Sequence, residues 1–216
     1  MPDLNFEVTG AEIIPFAVTP TLGFTVNITN AVPAQLISNV SLSCQLQIVA
    51  PQRRYNREEQ LGLQDVFGTP ERWGQTLRNF LWQHVSVVVP AFTNSITFTL
   101  PVSCTYDFEV LSTRYLATLQ DGMVPLLFLF SGTIFYQDEN DNLQVSRVSW
   151  SKEATYRLPI SLWQLMIEQY YPHTNWIRLQ RNVFDQLSTY KVQQGLPTWE
   201  EAISKLLATA HQGVKP

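Results

Sequence analysis

Cys44, Cys104, His84 and His173 are the side chains of this chain whose chemistry would suit a thiolate–imidazole metal or redox site. Their spacing argues against that use, because no two form the close Cys-x-x-Cys or His-x3-His pairs from which zinc sites are built. Both cysteines also fall on the apolar phase of an alternating segment, where free cysteine packs as a small hydrophobe. Core packing is the expected role, and Cys44, Cys104 and His84 stand as the alternative metal set. Nucleophilic catalysis has less support still. The chain has no Gly-x-Ser-x-Gly elbow and no glycine-rich phosphate loop. Asp138, Glu139 and Asp141 lack the glycine and the distal glutamate of a calcium loop and read as a solvated hairpin tip. The chain is therefore read as non-enzymatic and without a cofactor.

A second kind of chemistry is recognition. Arg53, Arg54 and Arg57 cluster around Tyr55, and Trp73 and Trp82 follow in the same stretch. Guanidinium forks beside aromatic rings are the side-chain types that anchor protein interfaces. The plainer reading is an exposed loop in which Glu58 and Glu59 neutralise the arginines. Arg53, Arg54, Tyr55, Arg57 and Trp73 are taken as the candidate partner-binding residues. On that reading, replacing Arg53 and Arg54 with Ala weakens a complex and leaves the melting temperature nearly unchanged. Farther along, Trp163, Tyr170, Tyr171 and Trp199 read as packing residues, and Trp176 as the aromatic most open to solvent.

The elements that must carry these residues are mostly strands. Val40, Leu42, Cys44, Leu46 and Ile48 alternate with polar neighbours, as do Ile96, Phe98, Leu100, Val102 and Cys104. A period of two marks a strand with one buried face. Leu22, Phe24, Val26 and Ile28 repeat it, Val85, Val87 and Val89 continue it, and further strands are expected at Leu4–Val8 (broken at Gly10), 13–18 and 143–150. Leu126 to Phe135 is apolar on both phases and reads as a central strand covered on both sides. Short helices are expected near residues 57–78, with Thr69-Pro70 opening one, and over 110–119. After about residue 158 the period becomes 3.6. Three caps are read there: Ser161 with Gln164, Asn182 with Asp185, and Thr198 with Glu201.

At 216 residues, 45% hydrophobic and 12% aromatic, the chain can bury a sizeable core. A net charge of −4 carries no basic stripe for nucleic acid. The apolar run Val124 to Phe130 is about a third of the ~20 residues that a membrane helix needs, and Pro125 interrupts it. With no signal peptide in view, a cytoplasmic protein with free thiols is expected. The sequons at Asn27 and Asn39 are read as chance. The expected fold class is α+β: an antiparallel β-sandwich with short helical insertions and a C-terminal three-helix extension. Its parts are a sandwich over 1–157 with a helical insertion at about 52–80, helices over 158–212 packed on it, and a disordered tail at 213–216.

Several segments together resemble a bacterial, mainly actinobacterial, family of unknown function found in gene neighbourhoods of NiFe hydrogenases. They include Pro51-Gln52-Arg53-Arg54-Tyr55, Phe67-Gly68-Thr69-Pro70-Glu71-Arg72-Trp73-Gly74 and Leu100-Pro101-Val102-Ser103-Cys104-Thr105-Tyr106-Asp107-Phe108-Glu109-Val110. Ser131-Gly132-Thr133, Tyr156-Arg157-Leu158-Pro159 and Leu196-Pro197-Thr198-Trp199-Glu200 extend the likeness over nearly the whole chain. The resemblance implies an accessory or assembly role and supplies no catalytic residues. The expected function is binding another protein, a hydrogenase subunit or maturation factor. The alternative is a small-ligand or metal-binding sandwich. Oligomeric state stays open.

Overall fold

In a computed structural model, which describes residues 1–104, 110–174, 177 and 179–213, the alternating segments form two antiparallel sheets. The strands are β1 (Leu4–Ile13), β2 (Thr21–Asn30), β3 (Ile37–Ile48), β4 (Phe80–Val89), β5 (Ser95–Ser103), β6 (Met123–Gln137), β7 (Leu143–Arg147) and β8 (Glu153–Pro159). One sheet runs β1-β2-β5. The other runs β4-β3-β6, with β8 beside the first half of β6 and β7 beside its second half. The expected α+β sandwich is the fold.

Alternation positions the core as it should. Leu22, Phe24, Val26 and Ile28 of β2 and Val40, Leu42, Cys44, Leu46 and Ile48 of β3 are all buried. Between the sheets, Phe24 meets the edges of Phe128, Trp82 and Tyr156, and Phe6 stacks on Phe130 at 4.4 Å. Each such ring contributes about 1.5–3 kcal/mol of burial. β6 is central, flanked by β3 on one side and by β7 and β8 on the other. Its outward Leu127 and Leu129 are half-buried rather than covered. Gly132 of β6 has φ +148°, and a methyl group there would run into the Ser41 carbonyl oxygen of β3.

Several strands differ from expectation: β7 ends at Arg147, short of 150, and β8 (Glu153–Pro159) was not anticipated. Gly10 does not end β1: a bulge between Val8 and Gly10 absorbs it and the strand continues to Ile13. Residues 14–20, expected to begin as a strand, form a turn, since Pro15 and Pro20 cannot donate to a ladder.

The β3–β4 connection holds 3₁₀ turns at Ala50–Gln52 and Pro70–Arg72 and helices α1 (Arg57–Gly62), α2 (Gln64–Phe67) and α3 (Trp73–Thr76). Helix α4 (Val110–Thr118) precedes β6, and α5 (Ile160–Tyr170), α6 (Arg181–Gln193) and α7 (Trp199–Gly213) end the chain. Only one of the three expected C-terminal caps forms: Glu201 N donates to Thr198 Oγ1 at 3.1 Å. Helix α5 starts directly from β8 at Pro159, which places Ser161 inside the helix, and Gln164 donates instead to the Leu119 carbonyl. Helix α6 starts at Arg181, one residue before the expected Asn182 cap.

The chain divides into two compact units, Met1–His173 and Thr174–Pro216. Ile160, Trp163 and Met166 of α5 are buried in the core of the first unit, so the division falls after α5 and not at residue 157. The expectations for Trp176 and for the tail beyond Gly213 lie outside the described residues.

Candidate functional site

One end of the sandwich gathers the turn at 14–20, the β3–β4 insertion, α4 and α5. Arg53 stands at its centre. Its side chain is only 6% exposed and its Nη2 meets Glu59 Oε1 at 2.7 Å. Nη1 donates to the Met123 carbonyl and Nη2 also to the Asp121 carbonyl, at 2.9 and 2.6 Å. Glu59, 2% exposed, accepts two further bonds, from the backbone N–H of Gln120 (2.9 Å) and of Asn56 (3.1 Å). Asn56 returns the favour to the Glu59 N–H, completing a capping box at the start of α1. Gly122 at φ +76° lies against the guanidinium: a Cβ there would be 3.1 Å from Arg53 Nη1. These groups latch the insertion to the turn between α4 and β6.

Beside the latch, Tyr115 of α4 is fully buried among Tyr55, Phe67 and Phe80, with ring centroids 5.3–6.3 Å away. The Tyr55 hydroxyl lies 2.8 Å from both the Ala50 carbonyl and the Tyr115 hydroxyl. Burial pushes the Tyr55 phenol up to about 12. Tyr115 is raised further, first by burial and then by Tyr55 beside it. Trp73 stacks edge-on against Tyr55 and donates its indole N–H to the Gly68 carbonyl at 2.9 Å.

The expected partner-binding set is therefore split by the fold. Arg53 is an internal ion-pair residue, which corrects its reading as an interface anchor and the expectation that its removal leaves stability unchanged. Tyr55 and Trp73 are half-buried and spend their polar groups inside the insertion. Arg54 and Arg57 are exposed and remain open to a partner.

The alternative metal set is dispersed as well. Cys44 faces the core opposite Val85, and burial pushes its thiol up to about 12. His84 pairs with Gln45, one residue out of phase, and is exposed on the outer face of the same sheet. Cys104 is buried at the end of β5. His173 is exposed beside Glu168. Among the described residues, no three His, Cys, Asp or Glu side chains gather as a metal site would require. No described helix is long and apolar enough to cross a membrane.

The feature that sequence reasoning missed is the turn at 14–20. Phe16 is fully exposed at φ +59°, and Val18 is fully exposed two residues on. A bulky aromatic residue in the left-handed region stores about 1–3 kcal/mol of strain. The turn is nevertheless anchored: Tyr170 of α5 donates its hydroxyl to the Ala17 carbonyl at 2.7 Å, and Cys104 N–H to the Pro20 carbonyl at 2.7 Å. The available signal was the pair Pro15 and Pro20 bracketing apolar residues. The second missed feature, the Asn56–Glu59 box, was legible as Asn-x-x-Glu ahead of Leu61 and Leu63.

Among solved structures, the chain is similar to the CARDB domain of the PF1109 protein from Pyrococcus furiosus. The crystal structure of that domain, in complex with di-metal ions, is 15% identical, with 73% of this chain and 92% of that one covered and a TM-score of 0.29. Its solution structure gives 15% identity, 74% and 94% coverage and a TM-score of 0.28. A protein described as late embryogenesis abundant is 11% identical over 74% of this chain and 73% of that one, with a TM-score of 0.34. At these scores the likenesses carry no functional argument. No curated protein matches the sequence. The model of one family does match, over residues 1–215, and the chain thus belongs to DUF6084, a family of unknown function.

Proposed function

We propose that this is a non-enzymatic accessory protein that binds another protein through the turn at 14–20. The observation that carries the reading is the pair Phe16 and Val18, fully exposed on an anchored turn. Two apolar side chains held in water, one of them in a strained backbone conformation, cost stability, and strain of that kind collects at binding sites. The partner feature that fits them is an apolar pocket. Arg54 and Arg57, exposed on the insertion at the same end, are a second contact. The partner class proposed from the sequence resemblance is a hydrogenase subunit or maturation factor in the cytoplasm of an actinobacterium.

Purification of the tagged protein from its native host under mild conditions tests this. A stoichiometric protein partner is expected with the parent and is lost in the double variant Phe16→Ser, Val18→Ser, whose fold is unaffected because both side chains are in solvent. Recovery of the chain alone, or a partner indifferent to the double variant, overturns the proposal.

A further inference from the structure

We propose that α7 pairs antiparallel with α7 of a second copy of this chain, joining two molecules through their C-terminal units. Within the unit Thr174–Pro216, Ala202 is the one described side chain that is buried. A pair of helices this short makes no core of its own, and such scaffolds are completed by further helices. The apolar residues concerned lie in one stripe. Trp199, Ile203, Leu206 and Ala210 follow one another at helical spacing along α7, with Leu207 beside them. Leu206 is 41% exposed and Leu207 56%. On α6, Phe184 (46% exposed) reaches the same stripe through its ring contact with Trp199 at 5.2 Å.

The polar groups bordering the stripe select the occupant. Glu200 and His211 lie on one flank of it, three turns apart and symmetric about the 205–206 region. When two copies of such a helix run antiparallel about a two-fold axis at Leu206, the same flanks face each other. Each Glu200 then stands opposite His211 of the second copy. The acidic first turn also meets the carboxyl-terminal end of its neighbour, so the helix dipoles oppose favourably. A parallel pair would place Glu200 against Glu200. Glu201 lies on the back of α7, away from the stripe, and Lys205 is engaged by Gln194 at 2.8 Å. The α7 residues of the stripe are apolar, as a self-complementary face requires, and the charge nearest to them, Lys191 of α6, sits over the Trp199 ring at 5.4 Å. At ~22 Å long, α7 offers an interface at the small end of specific contacts, which points to a weak, concentration-dependent dimer.

Sedimentation equilibrium of the full chain, from about 1 to 200 μM, reads this directly. The parent is expected to pass from the 24.7 kDa monomer to twice that mass over the range. Leu206→Lys is expected to weaken the dimer at least tenfold, with circular dichroism confirming that helix content is kept. Glu200→Lys is expected to weaken it less, and adding His211→Glu to restore it, an outcome that a merely structural role of either residue would not produce. A parent monomeric throughout overturns the proposal, including the case in which the stripe is covered within one chain. A dimer untouched by Leu206→Lys, or a charge exchange without rescue, overturns the antiparallel α7 pairing.

Discussion

Removing the Arg53 guanidinium should unfold the first unit far more readily than removing its neighbour at residue 54. Arg53→Ala leaves the Glu59 carboxylate, 2% exposed, without its cation, and deprives the Met123 and Asp121 carbonyls of their donor. Breaking a buried ion pair from one side costs about 3–5 kcal/mol, because the surviving charge is left in a low dielectric. The backbone N–H groups of Gln120 and Asn56 still hold Glu59, which keeps the loss from going higher. For a unit of this size, 1 kcal/mol shifts the melting temperature by about 2–4 °C, so a fall of roughly 6–20 °C is expected. Arg54→Ala, at an exposed position, should stay within about 0.5 kcal/mol of the parent. Urea unfolding of Arg53→Ala, Glu59→Gln and the double variant completes the test. The double should cost less than the two singles together, since it buries no unpaired charge. If Arg53→Ala melts within about 1 °C of the parent, the latch does not hold the insertion and the reasoning from burial fails.

Three further outcomes follow from the same packing. Gly132→Ala places a methyl group against the Ser41 carbonyl at φ +148°, and should lower stability by about 3 kcal/mol or more in chemical denaturation. Cys44, its thiol raised to about 12 by burial, should resist iodoacetamide at pH 8 in the folded protein and react only on unfolding, as mass spectrometry of the labelled peptide would show. Tyr55 is raised to about 12 and Tyr115 beyond it, so the folded state keeps both phenols neutral while the unfolded chain ionises near 10. Their contribution is complete below pH 10 and is lost as pH climbs toward 12. Urea midpoints should therefore fall over that window, and less steeply in Tyr115→Phe.

The strand pattern was legible because alternation is a local property. A residue at β3 points inward or outward by its parity alone, and that parity put Cys44 in the core before any neighbour was known; His84, expected just ahead of its strand, fell outside that pattern and only the Phe80 start of β4 set it on the outer face. The same local logic misplaced two of three helix caps. Whether Ser161 caps α5 depends on where β8 ends, and β8 ends where β6 stops pairing with it.

The order of residues alone established a chain able to bury a core, with its strands in two-residue phase and one arginine-rich insertion. Tertiary structure decided what the arginines are for. Arg53 and Arg54 are adjacent and chemically identical, yet one is folded onto Glu59 and two carbonyls contributed from residues more than sixty positions away, and the other stands in water. No sequence window holds that difference, because desolvation is set by what packs against a side chain. The exposure of Phe16 has the same origin: its apolar type predicts burial, and the turn between Pro15 and Pro20, tied to Tyr170, holds it out.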